Sequence, residues 1–225
     1  ATGVGEVIES NVDRLPIGAK VMGSLGWQRY AVMAAEKLEV ITGDAPMAAH
    51  LGPLGGTGLT AYFGLFRVGR PMPGDTVLVS GAAGATGSIV GQLAKLAGCR
   101  VVGIAGGAEK CAWLVNELGF DEAIDYKSDR VKAAIRAACP SGVNVFFDNV
   151  GGTILNDALA CIALNARVVI CGGISRYEQA VLPAGPANYF NLVFQRSTMS
   201  GFLVTDYASE FPAARARLAD WLQQG

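Results

Sequence analysis

The sequence is poor in the residues that usually bind metal ions. Its 225 residues include a single histidine, His50, and five scattered cysteines, no two of which form a C-x-x-C pair. This supply and spacing do not match the ligand patterns of zinc sites, so we expect no metal site. An odd number of cysteines in a chain this apolar favours reduced core thiols over disulfides, and with them a cytoplasmic location.

The sequence also has no large net charge and no long apolar run. The formal net charge is -1 and 16% of the residues are charged, so we expect neither nucleic acid nor a membrane surface as a partner. No apolar run reaches the roughly 18 residues that a membrane helix needs. The opening ATGVGEVIES has the pattern of an internal strand and not of a secretory signal. Hydrophobic residues make up 51% of the chain, enough for a substantial buried core.

The pattern of apolar residues divides the chain into two predicted domains. Residues 1–45 carry short β-like runs at 4–8, 19–22 and 27–32, typical of the end of a small all-β domain. Residues 46–225 form the second domain. It begins with apolar residues at helical spacing over 46–72, interrupted by LGPLGGTG.

From residue 76 onward, predicted strands and helices alternate. The strands are expected at 76–81, 100–105, 122–125, 143–148, 167–171 and 197–204, and the helices at 84–97, 108–118, 130–139, 153–164 and 208–223. Alternation at this pace predicts βαβ units and an α/β fold with a doubly wound parallel sheet, the Rossmann arrangement.

A glycine-rich loop, GAAGATG at 81–87, joins the first of these strands to its helix. Glycines there allow a tight turn and a close approach to a pyrophosphate, and the helix N-terminus supplies free N–H groups. Such glycines also occur in plain strand-to-helix turns, but their position inside a βαβ unit favours a dinucleotide site.

The second strand ends in small, apolar residues, Ala-Gly-Gly at 105–107. An NAD site normally has an acidic side chain there, which binds the ribose 2′-hydroxyl. The missing acid and the nearby Lys110 predict a 2′-phosphate, and therefore NADP(H). The alternative is that Lys110 is only a solvated helix residue.

Several motifs resemble one branch of a known family. They are GLTAYFG (58–64), GDTVLVSGAAGATGS (74–88), LGFDEAIDYK (118–127), FDNVGG (147–152) and CGGISRY (171–177). Their order is similar to that of the leukotriene B4 dehydrogenases, plant double-bond reductases and bacterial curcumin reductases, a zinc-independent branch of the medium-chain dehydrogenase/reductases. FDNVGG followed by CGGIS-x-Y is the most specific part. The resemblance implies that residues 1–45 are the last part of a GroES-like catalytic domain, and that the chain is truncated at both ends.

The resemblance also implies an NADP(H) site. Gly84, Ala85, Thr86 and Gly87 would bind the pyrophosphate, Gly106 and Lys110 the 2′-phosphate, and Tyr126 would lie beside the adenosine. Thr60 would lie near the nicotinamide, Asn149 and Val150 near its ribose, Cys171, Gly172, Ile174 and Ser175 on the adenine side, and Phe202, Leu203 and Val204 near the carboxamide. Gly56-Thr57 replaces a frequent Met-Pro and could widen the pocket, and Gly81 replaces a frequent alanine.

The implied reaction is reduction of the carbon–carbon double bond of an α,β-unsaturated aldehyde or ketone. Tyr177 matches the family tyrosine beside the cofactor ribose, where it would anchor a hydroxyl relay or donate the proton itself. A loop tyrosine that only packs on its neighbours is the alternative. Asp125 and Asp148 end strands at the ligand-binding edge of the sheet, without an assigned role. Cys171 has no evident base beside it, which argues against a covalent thiol mechanism.

Two other functions remain open. The chain could belong to a quinone reductase of the same superfamily, or to an NADPH-binding protein without turnover, similar to a lens crystallin. We also expect a homodimer, formed through the apolar segment 197–204 at the edge of the sheet.

Overall fold

The computed structural model describes residues 1–177 and 184–225. They form two compact units, one made of residues 1–59 and 212–225 and the other of residues 60–211. No helix within the described ranges is long and apolar enough to cross a membrane.

The first unit contains a three-stranded antiparallel sheet of β1 (Gly3–Glu6), β2 (Lys20–Gly23) and β3 (Glu39–Val40), in that order. The strand predicted at 27–32 is wrong. Trp27 is 97% exposed and Val32 fully exposed, so this segment has no buried face, which a strand needs for stability. The strand β3 pairs with β2 instead, with Val40 opposite Val21.

The second unit is built on a six-stranded sheet, and all five of its strand pairs are parallel. Its strands are β4 (Thr76–Ser80), β5 (Arg100–Ala105), β6 (Glu122–Asp125), β7 (Val143–Asp148), β8 (Ile162–Ile170) and β9 (Thr198–Gly201). The order β6-β5-β4-β7-β8-β9 confirms the predicted doubly wound Rossmann sheet. The order reverses between β4 and β7, and ligands bind at such a switch point.

The described ranges contain seven α-helices, of which the last lies almost entirely in the first unit. They are α1 (Gly56–Phe63), α2 (Ala85–Leu96), α3 (Ala108–Asn116), α4 (Val131–Ala138), α5 (Gly152–Leu159), α6 (Asn191–Phe194) and α7 (Phe211–Gln224). A 3₁₀ turn at Met47–Leu51 precedes α1, and a π-helical segment at Gly64–Gly69 continues it. The core of the second unit lies between sheet and helices, where Leu78, Ile104, Phe146 and Leu159 are fully buried.

The helix predicted over 153–164 is wrong in its last five residues, of which the final three belong to a strand. The helix α5 ends at Leu159, and β8 begins at Ile162, which lies opposite Val143 of β7. The apolar residues 154, 155, 158, 159 and 162 fit a helical period, but pairing with β7 decides the state of the last one. Two smaller differences occur near the end of the chain, where the strand shortens to Thr198–Gly201 and the last helix begins at Phe211.

Candidate active site

The glycine-rich loop after β4 turns the chain tightly into α2. Gly81 has φ +58°, and Gly84 N–H donates to Gly81 O at 2.9 Å. A Cβ on Gly87 would lie 2.4 Å from Gly81 O, so only glycine allows the first turn of α2 to pack this closely. The first N–H groups of α2, at Ala85 and Thr86, have no intrahelical acceptor and can bind an anion.

The loop after β5 is held by residues that follow β6. Gly107 N–H donates to Asp125 Oδ1 at 2.8 Å, and this bond, followed by one from Lys127 N–H, lowers the pKa of the Asp125 carboxyl. The Tyr126 ring lies over Gly106, where a Cβ would come within 2.8 Å of it. Lys110 follows in the first turn of α3. The structure therefore places Gly106 and Tyr126 in contact, and Lys110 lies in the first turn of the helix that follows.

A buried pair joins the ends of β4 and β7. Ser80 Oγ donates to Asp148 Oδ1 at 2.6 Å, and the two residues are 0% and 1% exposed. Asn149 N–H donates to Ser80 Oγ at 2.9 Å, and Asn149 Nδ2 donates to Ser80 O at 2.8 Å. The Asp148 carboxylate also accepts the N–H groups of Val150 and Gly151 at 3.0–3.1 Å.

The loop after β8 is hydrogen-bonded to the loop after β7. Asp148 O accepts the N–H groups of Cys171 and Gly172 at 2.9 and 3.1 Å. Further on, Ile174 N–H donates to Asn149 O at 3.2 Å, and Ser175 Oγ donates to Val150 O at 2.6 Å. Six predicted site residues, Asn149, Val150, Cys171, Gly172, Ile174 and Ser175, are thus brought together.

The Cys171 thiol lies in this junction and stays protonated. Burial, and then the charge of Asp148, raise its pKa to about 11. A thiol is a far weaker nucleophile than a thiolate, so this environment disfavours Cys171 as a nucleophile.

The Tyr177 side chain returns over the same loop and is 73% exposed. Its hydroxyl oxygen accepts the Gly173 N–H at 3.4 Å, which leaves the hydroxyl hydrogen available for donation. A cavity of about 590 Å³ lies there, with Asp148, Gly172 and Arg176 in its wall beside Tyr177.

Four further site predictions, Thr60, Phe202, Leu203 and Val204, fall on α1 and on the segment after β9. Gly64 lies between two rings: a Cβ there would be 2.5 Å from the Phe202 ring and 2.8 Å from the Phe147 ring. Thr60 precedes Gly64 by one helical turn and belongs to the same face. Leu203 is 68% exposed, and Val204 begins a 3₁₀ helix that runs to Glu210.

Comparison with known proteins identifies the family. The family model described as zinc-binding dehydrogenase matches residues 85–220. YfmJ of Bacillus subtilis (strain 168) is 48% identical over 226 residues, which cover 99% of this chain and 66% of that protein. The NADPH-dependent curcumin reductase of Escherichia coli (strain K12) is 37% identical, and the match covers 98% of this chain and 66% of that protein. The structure of CurA from Vibrio vulnificus in complex with NADPH matches with a TM-score of 0.91 and 38% identity. The match covers 100% of this chain and 68% of that one.

The chain belongs to the medium-chain dehydrogenase/reductases. Within this family it falls in the branch that includes proteins named curcumin, alkenal and prostaglandin reductases. It spans about two thirds of the length of these relatives.

The name of the matched family model implies zinc, but the residues do not fit a zinc site. In residues 1–177 and 184–225 no three His, Cys, Asp or Glu side chains come together as metal ligands. Burial raises the pKa of the Cys99 thiol to about 11 and that of Cys139 to about 12, which disfavours the thiolate that a metal needs.

Sequence reasoning missed the role of the Ser80–Asp148 pair. The sequence contains a signal for this pair, because serine is the last residue of the buried strand TVLVS and aspartate is the last residue of VNVFFD. Neighbouring parallel strands end at one edge of the sheet, so two buried polar side chains at their ends are candidates for a pair.

Proposed function

We propose that this chain is the nucleotide-binding part of an NADPH-dependent reductase, together with a portion of its catalytic domain. The reductase acts on the carbon–carbon double bond of α,β-unsaturated aldehydes and ketones. The observation that carries the proposal is the junction of three loops, after β4, β7 and β8, at the switch point of the sheet. These loops contain the glycine-rich turn, Asn149 and Tyr177.

We infer which residues would hold each part of NADPH. The first turn of α2 offers main-chain N–H groups to the pyrophosphate, and the close approach at Gly87 keeps side chains out of the way. Lys110 would pair with the 2′-phosphate, and the Tyr126 ring beside Gly106 would cover the adenosine. Asn149 and Val150 would lie at the nicotinamide ribose, with Thr60 and Phe202 beside the nicotinamide. Relatives with NADP or NADPH in their names support this choice of cofactor.

Tyr177 would act where the substrate meets the cofactor. NADPH, when bound, supplies the hydride for the β-carbon of the substrate. The Tyr177 hydroxyl has a hydrogen to donate because its oxygen accepts the Gly173 N–H. Its first role would be to anchor a ribose hydroxyl, which holds the nicotinamide in register with the double bond. Its second would be to supply, directly or through that hydroxyl, the proton that the α-carbon receives.

The proposal is tested by following NADPH oxidation with 3-nonen-2-one, using the full-length protein and NADH as the control. We expect turnover with NADPH, little with NADH, and the saturated ketone as product. Formation of the allylic alcohol would contradict double-bond reduction. Turnover of simple quinones but not of enones would favour the quinone reductase, and NADPH binding without any turnover would favour the crystallin-like role.

A homodimer is part of the proposal. The strand β9 lies at the edge of the sheet, and its Met199 is 38% exposed. An exposed edge strand offers unpaired main-chain groups to a second copy. The cytoplasmic location stays a prediction.

A further inference from the structure

The end of the β4–β7 ladder is continued by side chains. The main-chain pairing of these two strands reaches Val79 opposite Phe147. Beyond that point, the strand ends are joined by the bond from Ser80 Oγ to Asp148 and by the two bonds from Asn149 to Ser80. The two parallel strands therefore remain tied together up to the site itself.

This connection fixes the orientation of the Asn149 side chain. Its main-chain N–H is bound to Ser80 Oγ and its Nδ2 to Ser80 O, at 2.9 and 2.8 Å. A planar carboxamide that directs its nitrogen to Ser80 O directs its oxygen away from it. The Asn149 Oδ1 is consequently presented as a hydrogen-bond acceptor on the side opposite Ser80.

The Asp148 carboxylate is central to the arrangement. It is almost completely buried, and its described partners are one hydroxyl and the N–H groups of Val150 and Gly151. A buried carboxylate is costly unless such donors surround it. Since the main-chain oxygen of Asp148 also accepts the N–H groups of Cys171 and Gly172, this residue sets the loop after β7 against the loop after β8.

We propose that Ser80 and Asp148 are positioning residues for the reaction. The Ser80 hydroxyl, bound to Asp148, holds the Asn149 main chain, and the Ser80 carbonyl holds the Asn149 carboxamide, so that Oδ1 accepts a hydrogen bond from a hydroxyl of the nicotinamide ribose. This inference rests on the proposed function, because it assumes that a dinucleotide crosses the switch point. The side chains of Ser80 and Asp148 are both buried, so they would act through Asn149.

The test is a double-mutant cycle of Ser80→Ala and Asn149→Ala in the full-length protein. NADPH affinity is measured by fluorescence titration. The constants kcat and KM are measured with the enone as substrate. Each single change is expected to weaken NADPH binding by roughly tenfold, the value of one hydrogen bond. The double variant is expected to bind about as weakly as Asn149→Ala alone, because Ser80→Ala releases the Asn149 main chain and so acts on the same ribose contact that Asn149→Ala removes.

A matched control is Thr76→Val. Thr76 is a buried hydroxyl residue at the opposite end of the same strand. Its change is expected to lower the midpoint of urea unfolding while NADPH affinity is unchanged. A purely structural role of Ser80 would give the same result for both variants.

Two outcomes would overturn the inference while leaving the proposed function intact. In the first, Ser80→Ala binds NADPH as tightly as the wild type. In the second, the losses of the two single variants add in the double variant. If Ser80→Ala does not fold, Ser80→Cys keeps the volume with a poorer hydrogen-bonding group and is judged by the same criteria. A wild-type protein that binds no NADPH would overturn the proposed function, and the inference with it.

Discussion

The ring of Phe120 occupies the place that a side chain at residue 91 would take. A Cβ on Gly91 would lie 1.9 Å from Phe120 Cζ. This contact sets the distance between α2 and the chain segment that leads into β6.

Substitution of Gly91 by alanine is therefore expected to destabilise the fold. The added methyl group must displace the Phe120 ring, which is 2% exposed and packed in the core. Overpacking of this kind costs about 1–3 kcal/mol, measured as the change in free energy of unfolding in urea. Gln92→Ala on the exposed face of the same helix is the control and should stay within about 0.5 kcal/mol of the wild type. Equal stability of the two variants would contradict this packing.

Lys110 is expected to determine the preference for NADPH. Lys110→Ala should weaken NADPH binding by roughly 10- to 100-fold, since a hydrogen bond to a charged group is lost, and leave NADH binding unchanged. Lys132→Ala, an exposed lysine on α4, controls for general charge effects. Equal losses for NADPH and NADH would show that Lys110 is a solvated helix residue.

Gly106→Ala should move the Tyr126 ring and thereby weaken NADPH binding. The added Cβ would meet Tyr126 at 2.8 Å, near the free end of an exposed side chain that can rotate away. We expect a lower affinity in fluorescence titrations and little change in the thermal midpoint. A large fall in the midpoint would mean that the ring is fixed by the fold and does not serve the cofactor.

Tyr177→Phe separates the two roles of that tyrosine. Loss of an anchor is expected to raise the KM for NADPH by about tenfold. Loss of a proton donor would lower kcat by about 10²- to 10⁴-fold with little change in KM. We expect the first result to dominate. Wild-type values for both constants would leave Tyr177 as a packing residue.

The buried cysteines should make the protein less stable at alkaline pH. Burial raises the pKa of Cys139 from its ordinary value of 9.0 to about 12, and that of Cys99 to about 11. Above pH 9 the thiols of the unfolded chain ionise while the folded ones stay protonated, so the free energy of unfolding falls as pH rises towards 11. Urea unfolding at pH 7.5 and 9.5 measures this, and Cys139→Ala should show a weaker dependence on pH. An unchanged dependence would contradict the contribution of Cys139.

The sheet and the glycine loop could be predicted from the sequence because their signals are local. Apolar runs typical of strands alternate with segments whose apolar residues recur at helical spacing, and each strand is close in sequence to the helix that follows. The residues at 162–164 could not be assigned this way, because their state depends on pairing with Val143 across the sheet.

The strand predicted around Trp27 is wrong for a different reason. Its apolar pattern indicates a strand, but nothing within its unit covers these side chains. In the candidate site, the motif residues could be named from their resemblance to the family. The bond between Ser80 and Asp148 joins residues 68 positions apart, and no local pattern contains it.

The loop at 81–87 binds through main-chain groups, and this determines which of its residues can be substituted during evolution. Main-chain N–H groups are the same whichever side chain they carry, so exposed Ala85 can be exchanged over generations without loss of the anion-binding groups. Gly87 has no such freedom, because any side chain would collide with Gly81 O. Tolerance to mutation in this loop should therefore change abruptly between residues only two positions apart.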